Sequence, residues 1–231
     1  MMNLIASDLS FSYGKDAIVQ NISLNLEPGT LTALVGRNGS GKSTLLRLLQ
    51  GQYPPDSGEI FVGGVPLGKC RERVALMPQR NSIQWHFPIT VSELVSLGRI
   101  GGSQSGCCDL AAALQRVGLS ELASKRLDAL SGGQQQRTLL ARTLMQSAQV
   151  FLLDEPCSAL DPPSREAFLV LVRQLADAGY TFFVSSHDWG ESLNVYDRVI
   201  VLDNIVLADG SPEDVRKELG AIPSMGNHCC G

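Results

Sequence analysis

The run Gly36-Arg37-Asn38-Gly39-Ser40-Gly41-Lys42-Ser43 limits this chain more than any other feature, because it lies between the apolar stretch Leu31 to Val35 and a helical pattern from Gly41 to Gln50. It satisfies G-x-x-x-x-G-K-[ST], a strand-to-helix loop whose glycines let successive backbone N–H groups turn inward around phosphate oxygens. The helix behind it turns its positive end to the same phosphates. Lys42 adds a mobile charge, and Ser43, followed by Thr44, can ligate magnesium. The bland alternative is a Gly-rich turn, and the flanking strand and helix weigh against it. The complement is an acid at the end of a buried strand, and Val150-Phe-Leu-Leu-Asp154-Glu155-Pro156 supplies two. Asp154 would hold the magnesium through water, and Glu155 would orient or deprotonate an attacking water. Alternation of side chains at a strand end would separate the two tasks.

The 231 residues allow one large domain or one domain with a modest inserted lobe. With 44% hydrophobic and 18% charged residues the chain reads as an ordinary globular protein. A net charge of −4 provides no basic field to gather nucleic acid, so phosphate binding has to be local. No apolar run reaches the roughly 18 to 20 residues of a membrane span, and the start shows no secretory pattern, so a cytosolic location is expected. The six cysteines fall as Cys70, Cys157 and the adjacent pairs Cys107-Cys108 and Cys229-Cys230. That spacing suits neither a disulfide framework nor a four-cysteine zinc site, and reduced thiols are expected.

Strand-like runs alternate with helical patterns: Leu31 to Val35 then Gly41 to Gln50, Val150 to Leu153 then Pro163 to Ala178, Thr181 to Ser185 then Asp188 to Tyr196. This order predicts parallel strands joined by crossover helices. Leu4 to Tyr13 and Ile18 to Leu26, flanking Gly14-Lys15-Asp16, read instead as antiparallel strands at an edge, so the sheet should be mixed. From Thr90 to Arg142 helical patterns dominate and predict a lobe inserted in an α/β core. Gly101 to Gly106 reads as a flexible connector within the lobe, and Pro223 to Gly231 as a frayed tail.

Leu130-Ser131-Gly132-Gly133-Gln134-Gln135-Gln136-Arg137 resembles the signature motif of the ATP-binding-cassette family, and with the two motifs above the resemblance covers almost the whole chain. Physically, Ser131-Gly132-Gly133 opens a helix and offers a hydroxyl and free N–H groups, a second anion site; read alone it could be only an N-cap and turn. The resemblance implies a P-loop NTPase core of α/β class with a mixed sheet, an antiparallel β edge subdomain and an inserted helical subdomain. It also implies that Ser131, Gly132, Gly133 and Gln134 of one copy close over the ATP held by the phosphate loop of a second, two ATP per head-to-tail homodimer. Tyr13 matches the aromatic residue that stacks on adenine, Gln79 the loop that touches the Mg²⁺ site and links it to the helical lobe, and Asp161 the loop that communicates across the dimer. Asp161 also reads as an N-cap before Pro162. His187, one of three histidines, matches the residue that contacts the γ-phosphate and positions Glu155.

The family further implies coupling to a membrane permease docked beside Gln79, indirectly to a solute-binding protein, at the cytoplasmic face of the membrane. Met77-Pro-Gln79-Arg80 through Trp85-His86-Phe87-Pro88 resembles the cassettes of manganese, zinc and iron importers. Cys157-Ser158-Ala159-Leu160-Asp161 departs from their form and keeps an iron chelate, cobalamin or another small solute open as cargo. Trp85, His86 and Phe87 read equally as a contact patch or as core. His228-Cys229-Cys230 offers too few and too crowded ligands for a closed zinc site. A soluble cassette acting on DNA or ribosomes would carry a long coiled-coil insertion or two cassettes, and a silent regulatory cassette would lack Glu155 or His187.

Overall fold

The computed structural model describes residues 2–99, 109–146, 148–189 and 191–220. The Gly101 to Gly106 connector, Cys107, Cys108 and the Pro223 to Gly231 tail with His228, Cys229 and Cys230 lie outside the described residues. In chain order the elements are β1 (Leu4–Tyr13), β2 (Asp16–Leu26), β3 (Leu31–Val35), α1 (Lys42–Leu49), β4 (Ser57–Val62), β5 (Val65–Pro66) and β6 (Val74–Met77). There follow α2 (Val91–Ser96), α3 (Leu110–Arg116), α4 (Gly132–Leu144), β7 (Val150–Leu153), α5 (Pro162–Asp177), β8 (Thr181–Ser186), β9 (Arg198–Asp203), β10 (Ile205–Gly210) and α6 (Pro212–Gly220).

Two sheets form. The six-stranded one has the order β10-β9-β3-β8-β7-β6, parallel except for β10, which runs antiparallel to β9. Its mixed character therefore comes from the β9–β10 hairpin. The antiparallel pair β1 and β2 is joined by β4 and β5 in a four-stranded sheet of its own, in the order β2-β1-β4-β5.

Strand periodicity divides the core sheet between two apolar clusters. Leu31, Ala33 and Val35 of β3, Phe151 and Leu153 of β7, Phe182 and Val184 of β8, and Val199 and Val201 of β9 point to a cluster shared with α2 through α5. Their neighbours Leu34, Leu152, Phe183, Ile200 and Leu202 point the other way, onto α1 and the four-stranded sheet. Both faces are covered, which is why these strands read as continuous apolar runs. α1 is thus held between the two sheets, with Leu45, Leu46, Leu48 and Leu49 all fully buried.

Between Thr90 and Leu144 the described residues form α2, α3, α4 and short 3₁₀ turns, with one isolated bridge, Thr90 to Arg126. Gly98 closes α2 against α4 so tightly that a Cβ would overlap the Arg142 carbonyl. The helical run expected over Asp188 to Tyr196 is instead a 3₁₀ turn at Glu191–Val195. The side chain of Asp188 is taken up by Arg165 Nη1 at 2.8 Å and Ser192 Oγ at 2.9 Å. Beyond Tyr196 the chain is already turning into β9, with the Asp197 amide donating to the Leu31 carbonyl at 2.9 Å.

Candidate functional site

The site gathers where β3, β7 and β8 end on the same side of the sheet, the position at which open α/β sheets bind ligands. From β3 the chain enters the loop Gly36 to Gly41, in which Gly39 and Gly41 take φ of +86° and +94°. Gly36 also lies where a Cβ would overlap the Leu202 carbonyl, so this residue packs directly on β9. The loop is further held by Asn204, whose amide donates to the Ser40 carbonyl at 3.0 Å and whose Nδ2 donates to the Ile18 carbonyl at 2.8 Å. Arg37 and Asn38 are exposed, whereas Ser40 is buried and its Oγ has no hydrogen-bond partner. No side chain caps α1, so the first N–H groups of that helix, at Lys42, Ser43 and Thr44, are left for a ligand.

Lys42 Nζ donates to the carbonyls of Gly36 and Arg37 at 2.8 and 3.0 Å and stands 3.9 Å from Glu155 Oε1. Burial pulls its ammonium below the ordinary lysine range, and the charges of Glu155 and Asp154 oppose that shift. Ser43 Oγ donates to Asp154 Oδ1 at 3.0 Å. A hydroxyl and one carboxylate, both hard oxygen donors, suit a magnesium ion that keeps several waters and takes phosphate oxygens. The Gln79 side chain does not join this pair by a hydrogen bond, although the Asp154 amide donates to the Met77 carbonyl at 3.1 Å and so brings the end of β6 alongside. Among the described residues no group of three or more His, Cys, Asp or Glu forms a metal cage.

Side-chain alternation is not what separates Asp154 from Glu155. β7 stops at Leu153, and Glu155 turns into the left-handed region with φ +46°, which redirects its carboxylate. Ser185 stabilises the turn. Its Oγ accepts from the Glu155 amide at 2.8 Å and donates to Asp154 Oδ1 at 3.0 Å. This fully buried serine was missed in the sequence; its trace there is a hydroxyl inside the apolar run Thr181-Phe-Phe-Val-Ser, just ahead of His187. His187 itself is exposed and shares the wall of a small cavity with Glu155 and Cys157, whose thiol burial pushes up to about 12.

The signature residues and Asp161 form a second group. Ser131 caps α4: its Oγ accepts from the Gln134 amide at 3.3 Å, and its own amide donates to Gln134 Oε1 at 3.1 Å. This reciprocal capping box engages the Ser131 and Gln134 amides and leaves those of Gly132 and Gly133 for an anion. Gly133 packs on Ser164, whose amide donates to Asp161 Oδ2 at 3.3 Å, so Asp161 is the N-cap of α5 beside the signature. No hydrogen bond among the described residues ties Ser131, Gly132 or Gly133 to the phosphate loop. Tyr13, at the end of β1, is 45% exposed, with its ring edge-on to Phe11 and Tyr53 at 5.0 and 6.0 Å. Trp85 is partly buried against the larger cluster while His86 and Phe87 are exposed, so that trio is divided between core and surface.

A glycine loop feeding a helix, a lysine where the two join, and acids at the end of β7, next but one to β3 in the sheet, define a P-loop nucleotide-hydrolysing domain. The chain belongs to the ATP-binding-cassette transporter family, whose model, described as ABC transporter, matches residues 19–158. It is 36% identical over 211 residues to the zinc transport system ATP-binding protein TroB of Treponema pallidum (strain Nichols), covering 88% of this chain and 79% of that protein. To the manganese transport system ATP-binding protein MntA of Synechocystis sp. it is 34% identical over 223 residues, covering 92% and 86%. The solved structure of cbiO1 from Clostridium perfringens, part of the ABC transporter complex cbiONQ, superposes with a TM-score of 0.81 at 27% identity over 97% of each chain. The chain is accordingly an ATP-binding, ATP-hydrolysing subunit of a transport system. No helix among the described residues is long and apolar enough to cross a membrane.

Proposed function

We propose that two copies of this chain close head-to-tail around two ATP molecules and hydrolyse them to drive import of a transition-metal ion, zinc or manganese, through a separate permease. One observation carries the reading. The chain holds a phosphate loop with its carboxylates and, apart from it, a capped helix start whose Gly132 and Gly133 amides serve no group among the described residues. A partner's γ-phosphate fits that description. The names of the relatives, zinc and manganese transport subunits, support the cargo.

In this reading the whole of 1–231 is one nucleotide-binding domain, and the helical lobe 90–142 carries the signature to the partner. Tyr13 stacks on adenine, and the amides of 36–44 with Lys42 surround the phosphates. Ser43, Asp154 and Gln79 would hold magnesium, which would supply charge neutralisation for the phosphates. Glu155 takes a proton from the water that attacks the γ-phosphorus as the bond to the ADP oxygen breaks, and His187 contacts the transferred phosphate and orients Glu155. The left-handed turn at Glu155, fixed by Ser185, aims that carboxylate past Asp154 toward the water. Asp161 lies at the dimer seam beside the signature. The permease docks beside Gln79 at the cytoplasmic face of the membrane and is served by a solute-binding protein.

The test mixes Ser131→Arg and Lys42→Ala subunits. Each homodimer has both sites singly damaged, whereas the mixed dimer has one doubly damaged site and one intact site. Photo-crosslinked ATP should label the mixed dimer well above either homodimer. Equal labelling, with the wild type labelled readily, rejects action of Ser131 on the partner's nucleotide.

A further inference from the structure

Arg80 follows Gln79 directly, and its side chain runs to the signature helix. Nε donates at 2.6 Å to Oε1 of Gln135, a side chain 7% exposed one turn into α4. Nη1 passes beneath Gly132, where a Cβ would stand 3.4 Å from it; a larger residue there would press on the guanidinium. Both ends of this link are anchored. The Arg80 carbonyl accepts from Trp85 Nε1 at 3.0 Å, and the Trp85 ring packs on the larger apolar cluster. Gln135 Nε2 donates to the carbonyl of Leu130, the residue preceding Ser131, at 3.5 Å.

The charge is as telling as the geometry. Among the described residues no carboxylate pairs with Arg80, so a cation stands beside the positive end of α4, where the helix dipole opposes it. An anion docked on the Gly132 and Gly133 amides would relieve both charges at once.

From this geometry we infer that Arg80 is a positioning residue for ATP hydrolysis, a strut that ties the Gln79 loop of one nucleotide site to the signature the same chain presents to the other. The inference rests on the head-to-tail reading above. A shift of the Gln79 loop is carried through the guanidinium to Gln135 and Leu130, and so to the hydroxyl and amides of 131–133. The strut gives each nucleotide site a rigid connection to its neighbour within one chain, independent of the seam between copies.

The test uses Arg80→Ala, Gln135→Ala and the double variant in a Glu155→Gln background, which slows hydrolysis so that assembly can be read. Each single change should raise the ATP concentration needed for dimer formation about tenfold, the factor expected for a hydrogen bond to a charged group. Affinity of the unassembled chain for a fluorescent ATP analogue should stay within about twofold, which general structural damage would not allow. The double variant should be no worse than the worse single, since one broken link cannot break twice. Additive losses, or nucleotide affinity falling in step with assembly, overturn the inference.

Truncating the buried Gln135 could unfold the start of α4, so amide exchange supplies a second readout on Arg80→Ala alone, in the chain without nucleotide. Exchange over 130–136 should accelerate at least about threefold while that over 31–49 is unchanged. Unaltered exchange over 130–136 overturns the strut. Should the Glu155→Gln parent itself stay monomeric at saturating ATP and magnesium, the head-to-tail reading falls, and the exchange result alone decides for or against the strut.

Discussion

Ser185 supports both acids of the site, since one buried hydroxyl accepts from the Glu155 backbone amide and donates to Asp154 Oδ1. Ser185→Ala leaves every group of the expected chemistry in place and removes only their support. Loss of such a supporting hydrogen bond lowers activity about 10–100-fold. Turnover should fall by that factor while ATP affinity stays within a few-fold, and steady-state kinetics with nucleotide titration checks both. Wild-type turnover would deny Ser185 its role. Lys42, Ser43, Asp154 and Glu155 were legible because loop, lysine and acids come as spaced strings with a stated chemistry. Ser185 was not, because its partners lie 30 and 31 positions away and nothing local marks a strand serine as an acceptor. Arg80 escaped for the same reason: its meaning is Gln135, 55 positions on.

Helix starts are the elements on which this fold places its functional groups, and two of them are acid-sensitive. The Asp161 carboxyl is held below its ordinary value of 3.8 by the hydroxyl and then the amide of Ser164. Glu93, in the capping box of α2, is held below 4.5 by the amide and then the hydroxyl of Thr90. A carboxylate whose folded value is depressed contributes stability that is complete above its unfolded value and lost as pH falls through the folded one. The α2 start should therefore weaken below about pH 4.5 and the α5 start below about pH 3.8, and Glu93→Gln should flatten its share of that slope in melting curves taken against pH. Asp161→Asn keeps a good cap and Asp161→Ala does not, so Ala should lower the melting midpoint by about 2–4 °C and Asn by much less. If both variants lose ATPase activity equally, the seam role is separate from the cap.

At this scale the sequence conveyed most of the sheet, because parallel strands buried on both faces are unbroken apolar runs. β4 was overlooked because Ser57-Gly-Glu opens it with exposed polar residues, and β6 because four residues between charged neighbours and a proline make no pattern. The turn at Glu191–Val195 had helical periodicity, but the hydrogen bonds of Asp188 and the immediate demand of β9 leave it a 3₁₀ turn.

For the molecule as a whole, no hydrogen bond among the described residues ties the signature to the phosphate loop, and in the proposed reading a second copy bridges them to drive metal import. Cells lacking the chain should therefore lose most ATP-driven uptake of labelled zinc or manganese, with recovery on adding back the wild type but not Glu155→Gln. Undiminished uptake of both metals would direct attention to another cargo.

The positive φ at Glu155 carries, finally, a cost in stability. A left-handed backbone at a non-glycine residue costs about 1–2 kcal/mol, and asparagine is among the few side chains that relax it. Glu155→Asn should thus melt higher, by roughly 1 kcal/mol of stability, while ATP hydrolysis all but disappears. A lower melting midpoint would show that the loss of the Lys42 contact outweighs the relief. If the variant does melt higher, the chain gives up that much durability to aim one carboxylate, and the difference in melting measures what the turn costs the fold.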